Sequence, residues 1–549
     1  MKKSQSLFLI PLLFSMLFSC ENSNKLSQVD NTRVSPPVIE ERAMATEAAK
    51  IEQEAELDAD YITDEPYTAT PNTEEYDKIV ENTFQGVAQN PLSTFSIDVD
   101  NASYSNVRRF LEAHQLPQAN AVRIEEMINY FDYDYAQPKG EHPFSIHTEM
   151  STAPWNTEHH LIHIGLQGKD LDYDNLKPSN LVFLIDASGS MGDPNKLPLL
   201  KKSLKLLLAQ LDDKDRVAIV AYAGAAGLVL PSTPASQTNT ILNALDAVNS
   251  GGSTAGGEGI QLAYKIAKEN LITGGNNRVI LATDGDFNVG PSSSSDLVDL
   301  IEEKRKDDIY LTICGFGMGN YKDGRMEQIS NAGNGNYFYI DNIREAQKVF
   351  VTEMRANMFT IAKDVKIQIE FNPNTIKAYR LIGYENRLLA KEDFDDDTKD
   401  AGELGAGHTV TAIYEVILTD SKSKQTIHNA SELKYQKTTS ANNANDLMTV
   451  KFRYKPIKSE SSILLEEVLT KQNIPSLAQT SNNYRFSAAV AGFGMLLRGS
   501  EFKGTTTYDQ LLDLAKTAVG DDKEGHRAEF LQLIKTAQLL DAPKTSSAN

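Results

Sequence analysis

Asp186, Ser188 and Ser190 stand in the stretch LVFLIDASGSMGDPNKL with a D-x-S-x-S spacing. Residues two apart in an extended turn can point the same way, so one carboxylate and two hydroxyls can converge on a single point. Two further oxygen donors end other segments: Thr254 in the loop GGSTAGG, and Asp284 at the close of RVILATDGD. Five oxygen donors with few charges suit Mg²⁺ at roughly 2.0–2.1 Å, with Mn²⁺ and Ca²⁺ as the other hard ions to consider. Such an ion keeps open positions and can accept a carboxylate from outside.

These residues need strand ends to hold them. LVFLID is a short apolar run bounded by turn residues, the pattern of a strand buried on both faces, and parallel sheets place their sites at the carboxyl ends of such strands. After it, Leu197, Leu200, Leu204, Leu207, Leu208 and Leu211 mark one helix face. RVAIVAYAG, a helix from about Thr238 to Val248, a second over Gly257 to Leu271, and RVILATDGD follow. A capping box at Ser293 and Asp296 opens the next helix, and IYLTICGFG, a short helix near Arg325 to Asn331, YFYI and a helix near Arg344 to Arg355 complete the series. Alternation of this kind predicts an α/β fold, a doubly wound and mostly parallel sheet, over residues 178–356. The flanks 139–170 and 360–456 alternate with period two and are expected to pair as a β-sandwich into which the α/β unit is inserted. Residues 76–138 read as a mixed region with helices near Ser105 to Ala113 and Arg123 to Phe131, and residues 470–542 read as helical. No internal repeat is present.

The order D-x-S-x-S, then Thr, then Asp, on these elements, resembles the von Willebrand factor type A domain with its metal-ion-dependent adhesion site. The resemblance implies that Asp186, Ser188, Ser190, Thr254 and Asp284 hold the ion and that an Asp or Glu of a protein partner completes its shell. It further implies that loops around the ion, Ala225 to Thr233 and Gly290 to Ser295, set specificity. FSIDVDNASYSNVRRFL before the domain and VAGFGMLLRGS after it resemble a group of bacterial envelope proteins of this kind.

A chain of 549 residues exceeds one hydrophobic core and implies several domains. Its formal net charge of −21 argues against nucleic acid as a partner. Between Glu21 and Glu75 there are 14 acidic and 4 basic residues, a balance of −10, with few aromatics. Such a segment is expected to be a disordered acidic tether, residues 20–75, because it cannot bury enough apolar surface to offset its ordering entropy. Residues 1–19 begin with Lys2 and Lys3, continue in an apolar run broken by Pro11, and lead into Cys20, which suits a secretory signal better than a membrane span. Leu17 to Cys20 resembles a bacterial lipobox, which implies a lipid on Cys20 and an anchored envelope location, on the periplasmic or the outer membrane face. The other cysteine, Cys314, lies in an apolar run and reads as a buried structural thiol.

Other polar clusters read as structural. Asp193 and Asp286 are taken as solvated loop acids, and Asp98 and Asp100 in SIDVDNAS as turn or cap residues. HHLIH places His159 and His163 on one strand face and His160 on the other, with too few further ligands for zinc. EDFDDDTKD, Glu392 to Asp400, reads as a solvated loop. SGSMG lacks the first Gly of a nucleophile elbow, and GGSTAGGEG has no following Lys. No Lys, His or further carboxylate in the site loops has a general-acid or nucleophile role, so recognition of a protein partner is expected rather than catalysis. A metal-dependent hydrolase or phosphatase, or a structural envelope protein with a metal-independent interface, are the alternatives. Cys20→Ser is expected to move the protein from the membrane to the soluble fraction and to block processing of the leader. Normal cleavage and membrane retention of that variant, measured by fractionation and mass spectrometry, would remove the anchor.

Overall fold

The computed structural model describes residues 74–97, 100–171, 176–252, 256–285, 287, 294–319, 322–399, 401–427, 445–471 and 474–542. The leader, Cys20 and nearly all of the expected tether lie outside these residues, as do Asp98, Thr254, Asp286 and the segment 288–293. Glu74 belongs to the fold rather than to a tether: its carboxylate pairs with Arg109 at 2.8 Å and accepts the Gly319 N–H at 2.9 Å.

LVFLID is apolar because its strand, Ser179–Asp186, is covered on both sides. It lies in a six-stranded sheet with neighbours Asn276–Thr283 and Arg216–Tyr222; Ile309–Phe316 and Tyr337–Ile340 continue one edge and Ala226–Pro234 the other. The first five strands are parallel. Successive side chains point to opposite faces. Leu181, Phe183 and Ile185 therefore meet the leucine stripe of the Leu197–Leu208 helix together with Ile241 and Leu245. Val182 and Leu184 meet Ile260, Ala263, Tyr264, Leu297 and Met326 on the other side. Cys314 is wholly buried in the first layer, as its surroundings in the sequence imply, and burial pushes its thiol pKa well up.

Three expectations need correction. Ala225 to Thr233 is no loop: Ala226–Pro234 forms an edge strand antiparallel to Arg216–Tyr222, kept short of regular alternation by two register shifts. The helix expected near Arg344 to Arg355 is broken into Ile343–Gln347, a π-helical turn over Lys348–Thr352, and Met354–Met358. The break brings the Lys348 ammonium into a buried ion pair with Glu353 and over the Tyr130 ring at 4.8 Å. Thr470, where the helical region was expected to begin, closes an edge strand, Ile463–Thr470, that precedes the helices.

The flanks form the sandwich. One sheet runs Gln85–Gly86, Ile376–Ile382, Thr409–Leu418, Asn156–Gly168 and Phe144–Ala153, and the other Gly402–Gly405, Thr360–Phe371, Asp446–Pro456 and Ile463–Thr470, with Leu92–Ser96 also on Thr360–Phe371. Asn156–Gly168 and Thr409–Leu418 pair antiparallel although the α/β unit lies between them in sequence. Residues 76–138 therefore do more than stand beside the sandwich, because they supply a strand to each sheet. Ile162, Ile164, Ile367, Tyr379, Tyr414 and Phe452 fill the space between the sheets. The outer face of the first sheet packs on helices Ala102–Glu112 and Ile124–Asn129 and on the C-terminal helices Asn482–Arg498, Tyr508–Lys516 and His526–Asp541. Thr409–Leu418 is buried at every position because both of its faces are covered.

Buried arginines join the layers. Arg108, with no exposed side-chain surface, binds Asp341 at 2.5 Å and Glu345 at 2.6 Å in the α/β unit and Glu529 at 3.0 Å on the last helix. Arg123 pairs with Asp323 at 2.9 Å and with Glu327, and Arg387 with Glu327 at 2.7 Å and Asp100 at 3.0 Å. Asp100 is thus neither a turn nor a cap residue; its other oxygen accepts the Tyr337 N–H at 3.0 Å. Two histidines of HHLIH, His159 and His163, are also engaged. His159 lies 2.5 Å from Glu415, and His163 meets the Tyr135 hydroxyl at 3.0 Å. The acidic run near Glu392 is partly packed, with the Lys366 ammonium donating to the Asp393 and Asp396 carbonyls.

Arg108→Ala would leave three carboxylates without their cation, two of them fully buried, and is expected to cost about 3–5 kcal/mol in denaturant unfolding. Burial holds His163 down to about 3, from its ordinary 6.5. Between those values the unfolded chain binds a proton that the folded chain refuses, so stability falls as pH falls through this window. Thermal melts from pH 7 to pH 4 should show a shallower decline for His163→Gln than for the wild type; equal slopes would remove His163 from the acid response.

Candidate metal centre

The site lies at the carboxyl ends of two adjacent parallel strands. Ser179–Asp186 and Asn276–Thr283 run side by side, which sets Asp186 and Asp284 at neighbouring strand ends. Both carboxylates have no exposed surface. A buried carboxylate needs donors, and Asp186 has three. One oxygen accepts the Ser188 N–H at 2.9 Å; the other accepts the Tyr222 hydroxyl at 3.0 Å and the Thr283 hydroxyl at 3.2 Å. Burial still raises its pKa above the ordinary carboxylate value, hydrogen bonds from Ser188 oppose the shift, and the charge of Asp284 adds to it. Burial also holds the Tyr222 phenol well above its ordinary pKa, so it remains a donor.

The loop after Asp186 turns both serines to one side, with their hydroxyl oxygens 3.1 Å apart. Three backbone bonds fix it. Ala187 N–H donates to Tyr222 O at 2.9 Å, Gly251 N–H to Ala187 O at 2.8 Å, and Gly189 N–H to Gly252 O at 3.1 Å. The last two pin the D-x-S-x-S loop to the glycine-rich loop just before Thr254. Gly252 has φ +88°, which favours glycine, and a Cβ there would lie a tight 3.3 Å from the Gly224 nitrogen. Thr254 itself lies outside the described residues.

A residue that the sequence reading passed over completes the centre. Lys196, 5% exposed, precedes the leucine-striped helix and extends its ammonium to 3.0 Å from Asp284. Its aliphatic stem runs over Gly317, where any Cβ would overlap it. Asp193 is 3.8 Å from the same ammonium, and its side chain is 68% exposed, a solvated loop acid as expected. Tyr222 and Thr283 were passed over too. Tyr222 is in register with Asp186 on the next strand and could have been found from strand pairing; Lys196 carries no such signal.

The structure sets Asp186, Ser188 and Ser190 on one loop and Asp284 at the neighbouring strand end, a set of oxygen donors without sulfur or imidazole. This donor set fits a hard divalent ion and is poorly suited to zinc or copper. Among the described residues no cluster of three or more His, Cys, Asp and Glu side chains offers another centre.

Three family models match parts of the chain. A family model described as von Willebrand factor type A domain matches residues 180–352, one described as von Willebrand factor matches 70–163, and one described as uncharacterized protein YfbK, C-terminal, matches 356–540. The uncharacterized protein YfbK of Escherichia coli (strain K12) is 42% identical over 481 residues, 86% of this chain and 82% of that one. Uncharacterized protein sll0103 of Synechocystis is 27% identical over 198 residues, 35% of this chain and 45% of that one. Among solved structures, a von Willebrand factor type A protein from Catenulispora acidiphila overlays with TM-score 0.38 at 17% identity, covering 72% of this chain and 91% of that one.

Proposed function

Because the chain belongs to the family of the Escherichia coli uncharacterized protein YfbK and carries a von Willebrand factor type A domain over residues 180–352, we propose that it acts by metal-dependent recognition of a protein partner. A divalent ion, Mg²⁺ foremost, is held by Asp186, Ser188, Ser190 and Asp284 with Thr254, and supplies a Lewis-acid position for an Asp or Glu of the partner. The lipid on Cys20 keeps the domain at the cell envelope, on an acidic tether.

One observation carries this reading. Two serine hydroxyls and two buried carboxylates stand at adjacent strand ends. A carboxylate lifted in pKa by burial gains from a bound cation, which offsets the charge that the interior penalises. A hydrolase would need a free base or nucleophile beside the ion. Lys196, the basic group at this site among the described residues, is held by Asp284, which favours recognition over catalysis.

The test is capture from detergent-solubilised envelope with full-length protein in Mg²⁺, in EDTA and as Asp186→Ala. A partner retained by the wild type in Mg²⁺ and lost in the other two arms is expected. Equal retention in all three arms would take the metal out of the mechanism. Metal-dependent turnover of an ester or phosphate panel would favour the hydrolase instead.

A further inference from the structure

We propose that Lys196 sets the charge of the metal centre: its ammonium neutralises Asp284, lowers the affinity for the ion itself, and leaves the bound ion with charge for an incoming carboxylate. The inference rests on the metal-dependent reading above and assigns a role to a residue outside the oxygen ligands.

The geometry is built, not incidental. Lys196 is fixed by its own backbone, with its N–H donating to Asp193 O at 3.0 Å and its carbonyl accepting the Leu200 N–H at 2.8 Å in the first turn of the helix. Its stem is threaded over Gly317, which has φ +77° at the end of the Ile309–Phe316 strand, and the Gly317 carbonyl accepts the Tyr339 hydroxyl. The ammonium therefore reaches a carboxylate 88 residues away while staying almost wholly out of solvent.

Electrostatics then decides the consequence. Asp186 and Asp284 are both fully buried, and each raises the cost of charging the other. With Lys196 on Asp284, the two buried carboxylates among the described residues leave one negative charge uncompensated, that of Asp186. A divalent ion bound there retains about one positive charge and attracts a carboxylate strongly, because few waters screen it. Without Lys196, the two carboxylates would cancel the ion; the metal would bind tighter and the third carboxylate would gain less. Lys196 is thus a positioning residue that moves affinity from the ion to the partner.

The experiment uses the full chain in detergent, with Mn²⁺ as the metal probe and acetate as the carboxylate probe. Mn²⁺ affinity is measured by electron paramagnetic resonance titration without and with acetate, for wild type, Lys196→Met and Lys196→Gln. Lys196→Met keeps the stem over Gly317, and Lys196→Gln keeps a donor, so the two guard against a packing artefact. The expected result is Mn²⁺ binding tighter by about tenfold or more in both single variants, as removal of a buried like charge implies. Acetate should strengthen Mn²⁺ binding in the wild type and have a smaller effect in the single variants. Wild-type uptake with unchanged or weaker binding in both folded single variants would overturn the role of Lys196 and leave the metal reading standing. No saturable uptake by any of the proteins would overturn the metal reading and this inference with it.

Discussion

The molecule is organised around a carboxylate that has no solvent to stabilise it. Asp186 ends a strand whose seven preceding residues are buried, so it cannot turn outward without unpacking the centre of the sheet. Its charge has to be held by neighbours, and each neighbour comes from a different element: the Ser188 amide from its own loop, Tyr222 from the next strand, Thr283 from the strand on the other side. Parallel pairing supplies these partners at the right height, because Tyr222 is level with Asp186 and Thr283 is the last residue of its strand. The same constraint places Asp284 one residue further on, where it needs a cation of its own. Oxygen-rich strand ends, a glycine-rich support loop and a threaded lysine are then consequences of burying one acid.

The rest of the chain serves to hold this unit by its edge. Entry and exit of the inserted unit lie at the amino ends of its strands, where Asn276 N–H bonds Pro178 O at 2.9 Å and the Asn276 side chain approaches the Met358 sulfur at 3.8 Å. Asp186 and Asp284 stand at the opposite ends of the same strands. Between the layers, Arg108, Arg123 and Arg387 each bridge two or more carboxylates, using the planar guanidinium that makes arginine the residue of choice for buried pairs. Such clusters contribute little net stability when compared with apolar packing, yet they penalise any arrangement that separates their members. They fix the α/β unit against the sandwich and helices more through that penalty than through attraction.

How much of this could be read in advance varied with the range of the interaction. The apolar run before Asp186, the leucine stripe after it and the alternation of strand and helix are local periodicities, and they led directly to the α/β fold with its mostly parallel sheet. The sandwich was legible because VKIQIEFNP and HTVTAIYEVIL alternate with period two. What escaped was long-range. Lys196 and Asp284 are 88 residues apart and Arg108 and Glu529 are 421 apart, and neither pair has a spacing rule to reveal it. Ala226–Pro234 was misread because two prolines and a glycine interrupt its short apolar run; its pairing with Arg216–Tyr222 makes it a strand.

The overall acidity makes the local balance at the centre more consequential. A chain with net charge −21 repels acidic partners at long range, although about half of that charge belongs to the segment Glu21 to Glu75. At physiological salt such repulsion is screened beyond about 8 Å, so an approaching carboxylate responds mainly to the last few ångströms. There the described residues offer two buried acids and one buried base, and whether the site attracts or repels a third acid depends on the ion and on Lys196 together. Recognition by such a centre, as proposed, is local by construction, and the surrounding surface can remain acidic without opposing it.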